Sequence, residues 1–419
     1  MPKEVAIILA GGQVEGFGVL TQYRPKAALP VAGFYRLIDF ALSNLSHSEI
    51  SHVGLIIQYQ PASLIEHVGN GEFWDLHGVG RLLKLLPPYI GPQTTEWFTG
   101  TAHALYQNRN FIQDLAPDDI LILSGEHIYK MDYGPLLRYH RERGADVTIA
   151  TKHLPADCCS RRFGYVRFGA SNEITEYYEK PDSPPSQDVS MGLYIFRRQV
   201  LMDCLEHNAR DGRGPNLAID VIPFLVGAKR VLAWPFNGTW DYVLDIEDYY
   251  QLHQRLLQPH QPISLMKWGV MTNTTDRGLS SRVSARIGGA ATVEQAMLSP
   301  GVEIEGTVRG TVCSPGVIVE KDAVVEDSIL MHDVIVRRGA KLRRVIADKD
   351  TVFGEGAMVG MGDAPRSGPG RRPGQVPLTV VGKGTQVEAG VCVPPGKEIA
   401  KDYCRDNAGG SPFPEGAIL

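Results

Sequence analysis

The sequence predicts an α/β layered sheet followed by a parallel β-helix, and three observations carry that prediction. Over roughly the first 250 residues, short apolar runs alternate with amphipathic stretches, as strands and helices do in an α/β sheet. Beyond about residue 285 the pattern changes to a repeat of 17 residues. The composition, 43% hydrophobic and 21% charged over 419 residues, is that of an ordinary globular protein long enough for two or more domains.

The strands are expected at Val5–Ala10, His52–Gln58, Asp119–Ser124, Ala145–Lys152, Met191–Phe196 and Arg230–Pro235, each a short apolar run. Between them, Arg36–Ser46, Pro61–Val68, Thr101–Asp114 and Tyr133–Arg143 repeat apolar residues at spacings of three and four, as a surface helix does. A domain of residues 1–255 is expected, then a linker over 256–286 with Pro259, Pro262 and the polar stretch TNTTDRG, then a repeat domain over 287–419.

The repeat is visible when segments are stacked. VIVEKDAVVEDSILMHD (Val317–Asp333) is followed by VIVRRGAKLRRVIADKD (Val334–Asp350) and by TVFGEGAMVG from Thr351, while VEIEGTVRGTVCSPG (Val302–Gly316) is a shorter copy of 15 residues. One copy cannot bury its own apolar face; stacked coils bury a continuous one. Three short strands per copy predict coils of hexapeptide-like turns with Val317, Val334 and Thr351 one above another. Plain hairpins are the alternative, and they do not produce register-matched VIV, VIV and TVF triplets. The stretch Pro365–Pro377, dense in Gly, Pro and Arg, is expected to leave the coils.

Net charge is −5 with no run of basic residues, which argues against nucleic acid or an anionic membrane as partner. The apolar run at Val5–Ala10 is too short for a signal-peptide core or a membrane span, so the cytoplasm is the expected location. Cysteines at 158, 159, 204, 313, 392 and 404 show neither a CxxC pair nor zinc-site spacing, and are expected to be reduced.

The first strand ends in LAGG, where glycine lets backbone N–H groups approach a polyphosphate, although a tight structural turn would read the same. Further segments add chemistry in order. Arg24 and Lys26 stand in YRPKAALP, and then come YRLIDFALSN, GTAHALYQN, GEHIYKMDY, FGYV, YEKP, SMGLYIF and DVIPFLV, running from residue 9 to 226 with LAGG. Together these resemble the sugar-1-phosphate nucleotidylyltransferases over nearly the whole chain. IYKMDY and LIDFALSN are most similar to the glucose-1-phosphate adenylyltransferase branch.

That resemblance implies a Rossmann-like (GT-A-like) mostly parallel sheet with helices on both faces and a left-handed parallel β-helix. It implies transfer of AMP from ATP to glucose 1-phosphate with release of pyrophosphate, supplying ADP-glucose for glycogen-type α-glucan synthesis. Bringing two anions together needs cations and a metal more than a base. Lys180 would hold the phosphate of glucose 1-phosphate, Glu179 the sugar hydroxyls, and Ser190, Met191 and Gly192 would line the sugar pocket, with Gly164 a further substrate-binding position. Leu9, Gly11 and Gly12 would form the phosphate turn, Lys26 would face the triphosphate, Arg24 would bind substrate, and Gly100 and Thr101 would shape the nucleotide side. Mg²⁺ would be held by Glu126 and by Asp241 or Asp245, with Asp241 preferred because it follows Trp240. A tetramer, either of one chain or with a paralogous subunit, and a sugar-phosphate effector are implied in the same way.

The departures from that pattern cluster on the triphosphate and metal side. Glu126 stands where relatives carry Asp, and its extra methylene moves a ligand that Mg²⁺ wants in near-ideal geometry. In the opening loop, usually G-G-x-G-x-R-L, Val14 replaces a glycine, Gly16 stands at the arginine, and Glu15 adds a negative charge. Losing one such transition-state donor costs on the order of 10²–10³ in rate. Tyr23 replaces an effector-binding lysine, and His103 replaces the Asp of GTADA. Two readings therefore stand side by side: an active adenylyltransferase, and a weakly catalytic or non-catalytic regulatory subunit that assembles with an active paralogue.

Overall fold

The computed structural model describes residues 2–12, 16–89, 97–212, 214–260, 262–362 and 377–400. Gln13, Val14 and Glu15 of the opening loop, most of the Pro365–Pro377 stretch and the chain from 401 onward, with Cys404, lie outside the described residues. The chain forms two compact units. The first comprises residues 1–13, 38–241 and 265–271, the second residues 14–37, 242–264 and 272–419.

The first unit is built on a nine-stranded sheet in which Glu4–Leu9 lies between Asp119–Ser124 and His52–Ile56, parallel to both. Leu82–Leu86 extends one edge in parallel. Asp188–Arg197 pairs antiparallel with Asp119–Ser124, Val147–His153 and Gly164–Phe168. Val231–Pro235 runs parallel to Val147–His153, and Ile174–Glu179 turns back on Gly164–Phe168. Asp188–Arg197 and Ile174–Glu179 thus run against the other strands, giving the mixed, mostly parallel sheet expected. Central strands read as unbroken apolar runs because both faces are covered: Val5, Ile7, Ile8, Ile120 and Ile122 are fully buried.

The six expected strands are present, Asp119–Ser124 with the bounds expected and the others with shifted ends, Asp188–Arg197 being longer than Met191–Phe196. The helices form at Leu37–His47, Ala62–Val68 and Tyr133–Glu142. The single helix expected over Thr101–Asp114 is two, Thr101–Gln107 and Arg109–Leu115. Asn108 makes the break: its side-chain amide donates to the Ala104 carbonyl at 3.0 Å, competing locally with the helical ladder.

In the second unit, the described residues from 286 to 362 and 377 to 400 form three six-stranded parallel sheets, consistent with a left-handed β-helix. Ile318 pairs with Ile335 and Ile335 with Val352, which stacks Val317, Val334 and Thr351 as the repeat requires. The shorter copy is seen too, Glu303 pairing with Ile318. Val308, Val319, Val325, Leu330, Val336, Leu342 and Phe353 fill the interior. Corners are turned by residues with positive φ, among them Asp322, Asp327, Asp333 and Asp350, a conformation that Asp tolerates better than bulkier residues. Among the described residues, Cys158, Cys159, Cys313 and Cys392 are free thiols. No helix among the described residues is long and apolar enough to cross a membrane.

Candidate active site

Ligands of open α/β sheets bind beyond the carboxyl ends of the parallel strands. Here those ends carry Leu9–Gly12, Ile57–Gln58 and Gly125–Glu126. Leu9 pairs with Ile56 and Ser124, and its carbonyl accepts from the Gly125 N–H at 3.1 Å. Gly11 is required by packing: a Cβ there would lie 2.8 Å from the Gln58 nitrogen. Gly12 has open space where its Cβ would be. The two glycines therefore divide the work, one pressed on the neighbouring strand and the other leaving its side clear.

The residues expected on the sugar side form one connected set. Gly164 pairs with Glu179 across the hairpin, and the Tyr177 hydroxyl donates to Glu179 Oε2 at 3.0 Å. Burial pushes the Glu179 carboxyl above the usual carboxylate range, with the Tyr177 hydrogen bond pulling the other way. Lys180 is exposed, takes a positive φ of 48°, and anchors its N–H on the Phe163 carbonyl at 3.1 Å. A non-glycine residue held there stores strain, which occurs at ligand clamps. Ser190, Met191 and Gly192 lie where Asp188–Arg197 loses register against its neighbour, between Ser190 and Tyr194. Gly192 has φ 63° and faces His127, whose Cε1 lies 3.5 Å from its ideal Cβ position. His127 meets Trp240, ring centroids 5.7 Å apart, and Trp240 meets Phe163 at 5.8 Å.

This chain of contacts draws in residues the sequence did not single out: Phe163, Tyr177, His127 and the ring of Trp240. Tyr177 carried a signal, since residues two apart on a strand share a face. The His127–Trp240 contact carried none, because 113 residues separate the two.

The metal expectation rests on Glu126 and Asp241. Each is the chain neighbour of a member of the His127–Trp240 contact, and Trp240–Tyr242 pairs with His127–Tyr129 in a two-stranded ladder. Two hard carboxylates fit Mg²⁺, which takes one or two carboxylates and completes its shell with water and phosphate oxygens. Among the described residues there is no group of three or more His, Cys, Asp or Glu arranged around a metal. Asp245 is engaged elsewhere, as the N-cap of the helix Ile246–Leu256, where it accepts from the Asp248 N–H at 2.9 Å.

Gly100 and Thr101 begin the helix Thr101–Gln107, and its first turn is met by the segment Gly214–Leu217. The preceding turn is tied to the strand ends by Gln58, whose amide exchanges hydrogen bonds of 2.7 and 3.2 Å with the backbone of Phe98.

Lys26 and Arg24 belong to the second unit. Lys26 is buried with its ammonium 4.7 Å from the Tyr242 ring centroid and 5.4 Å from that of Phe17. Arg24 is 2% exposed and grips both carboxylate oxygens of Asp348 at 2.7 and 2.8 Å, a buried bidentate ion pair.

Comparison with known proteins gives the same reading for both parts of the chain. A nucleotidyl transferase family model matches residues 5–259, and one described as GlmU-like, C-terminal hexapeptide, matches residues 281–366. The glucose-1-phosphate adenylyltransferase of Bacillus thuringiensis (strain Al Hakam) is 37% identical over 364 residues, covering 85% of this chain and 94% of the relative. Those of Bacillus mycoides (strain KBAB4) and Bacillus anthracis are likewise 37% identical, over 361 and 364 residues, with the same coverage of both chains. The chain therefore belongs to the nucleotidyl transferase family.

Proposed function

We propose that the protein transfers AMP from ATP to glucose 1-phosphate, forming ADP-glucose and pyrophosphate. The observation that carries this reading is the sugar-side wall, in which the Glu179–Lys180 corner and the Ser190–Gly192 bulge are tied together through Phe163, Trp240 and His127. Relatives 37% identical over 85% of this chain carry the name of that activity.

In the reaction an oxygen of the sugar phosphate attacks the α-phosphorus of ATP, and the bond from that phosphorus to the bridging oxygen of pyrophosphate breaks. Lys180 binds the incoming phosphate by charge, and its fixed backbone aims the ammonium. Glu179 accepts hydrogen bonds from sugar hydroxyls, and Ser190, Met191 and Gly192 close the pocket around the ring. Gly11 and Gly12 let backbone N–H groups approach the phosphates, Lys26 adds a cation, and Gly100 and Thr101 shape the nucleotide side. Mg²⁺ between Glu126 and Asp241 would neutralise charge on the phosphates. Residues 1–255 would carry this chemistry and 287–419 the β-helix, in a cytoplasmic tetramer of one chain or with a paralogue. A sugar-phosphate effector is part of the same proposal.

A second reading, a weakly catalytic regulatory subunit, is favoured by one observation. Gly16, at the position where the family pattern expects an arginine, has φ 95°, and Arg24 cannot supply that cation while it holds Asp348.

The test is chromatography of ADP-glucose formed from ATP, glucose 1-phosphate and Mg²⁺, with calorimetry of glucose 1-phosphate binding. Lys180→Ala should weaken binding by about 1.5–3 kcal/mol, the worth of a charged hydrogen bond. Turnover lost with the mutation supports the enzyme; binding without turnover selects the regulatory subunit; no binding of the sugar phosphate rejects both.

A further inference from the structure

The helix that opens at Gly100 has no side chain to cap it. Glycine offers no oxygen, and the first-turn N–H groups of a helix need acceptors. The structure supplies one from elsewhere in the chain: the Pro215 carbonyl accepts from the N–H groups of Ala102 at 2.7 Å and His103 at 3.1 Å. Thr101 completes the junction, its Oγ1 accepting from the Leu217 N–H at 2.8 Å. Gly100 is what allows this approach, because a Cβ there would stand 2.5 Å from the Pro215 oxygen and 2.6 Å from Asn216 Oδ1.

The carbonyl is in turn held by Asp220. Its Oδ2 accepts from the Asn216 N–H at 2.7 Å, and its own N–H donates to the Asn216 carbonyl at 2.9 Å, closing a loop on the residue next to Pro215. Asp220 can reach back because Leu217–Val221 is wound as a π-helix, a form found mostly as single turns and often at functional sites. Gly214, at φ 127°, leaves room for the carboxylate: a Cβ would lie 2.4 Å from its Cγ. Asn208 fixes the other side, donating to the Gly214 carbonyl at 2.6 Å. A costly helical form, a glycine notch and a reciprocal pair of hydrogen bonds all converge on one peptide, whose neighbour caps a helix.

We propose that Asp220 is a positioning residue for the nucleotide side of the site, acting through Asn216, Pro215 and Leu217 on Gly100 and Thr101. The inference rests on the proposed function, in which Gly100 and Thr101 border the nucleotide. Asp220 touches no substrate; it sets the conformation of the turn that does. With the carboxylate gone, the Asn216 N–H loses its acceptor, the Pro215 carbonyl drifts, and two helix N–H groups lose their cap.

The experiment compares Asp220→Ala with Asp220→Asn, which keeps an acceptor oxygen, by amide hydrogen exchange and by steady-state kinetics. In Asp220→Ala, exchange at Ala102 and His103 should rise at least about tenfold. KM for ATP should rise about five- to tenfold, while KM for glucose 1-phosphate and kcat stay within about twofold. Asp220→Asn should restore most of both effects. Unchanged exchange in a folded Asp220→Ala protein would overturn the latch. Raised exchange with unchanged KM for ATP, or with KM for glucose 1-phosphate moving instead, would overturn its link to the nucleotide. If the unmutated protein neither turns over nor binds ATP in calorimetry, the functional reading fails and takes the nucleotide role with it, while exchange still decides the latch.

Discussion

Gly164 and Glu179 face each other across the hairpin, and the Cβ that Gly164 lacks would stand 2.5 Å from Glu179 Oε2. The carboxylate fills the space a side chain would take. The FGYV and YEKP motifs are thus two halves of one feature: the first makes the notch and the second fills it.

Gly164→Ala should therefore act chiefly on the sugar, because the methyl group would stand 2.5 Å from Glu179 Oε2 and 2.8 Å from the Tyr177 hydroxyl and must part the two. Glucose 1-phosphate binding should weaken by about 1 kcal/mol or more, the worth of a hydrogen bond. Calorimetry checks this, with binding of inorganic phosphate at Lys180 as the internal control. Equal loss for both ligands would mean that the hairpin, and not the notch, has been disturbed.

The same carboxylate gives a pH dependence with a definite sign. Burial raises its folded-state pKa above the unfolded one, so the native state holds the proton more tightly and stability falls as pH rises between the two values. Below that window the group costs nothing; above it the penalty is constant. Glu179→Gln should remove this fall and raise Tm relative to the unmutated protein at neutral pH, while lowering affinity for the sugar. Parallel melting curves from about pH 4 to 8 decide it, and identical pH slopes for both proteins would count against a raised pKa.

The Arg24–Asp348 pair bears on stability instead, because neither side chain is more than 2% exposed. Removing one partner leaves a buried charge uncompensated, so Arg24→Ala or Asp348→Ala should each cost about 3–5 kcal/mol, and the double change less than the sum. Urea denaturation reads this directly. If Arg24 were instead a phosphate ligand, Arg24→Ala would raise KM for ATP and leave the denaturation midpoint where it was.

These features differ in how far the sequence betrays them. The coils are legible because Val317, Val334 and Thr351 recur at a fixed spacing, and a stacked coil admits few other arrangements of that pattern. The hairpin Gly164–Phe168 and Ile174–Glu179 escapes the strand pattern, because its second strand is half solvated and shows a mixture of Tyr, Glu and Thr. Arg24 reads in the sequence as a cation near a phosphate turn; only the fold brings Asp348, 324 residues away, into its reach. The Pro215 cap is invisible for the same reason, and glycine at 100 reads as a feature of the ligand side when it also serves a backbone contact.

The opening loop yields the last prediction. The family pattern described above expects an arginine where this chain has Gly16, so introducing it is the obvious repair for a slow enzyme. The backbone argues otherwise: φ at Gly16 is 95°, outside what an L side chain adopts easily, and a Cβ there would point at Asp245 Cβ, 3.5 Å away. The Gly16 carbonyl is also engaged, accepting from the Ile246 N–H at 3.1 Å at the start of the helix Ile246–Leu256. Gly16→Arg alone should thus destabilise the protein by about 1–3 kcal/mol and leave ADP-glucose formation within about twofold. Glu126→Asp, which shortens a carboxylate without touching this turn, should not carry that stability cost. Thermal melts and initial rates on the two variants separate the cases. A tenfold gain from Gly16→Arg, about 1.4 kcal/mol of barrier, would show that the turn can rewind to present a guanidinium to phosphate, and that the lost arginine, not the backbone, limits the rate.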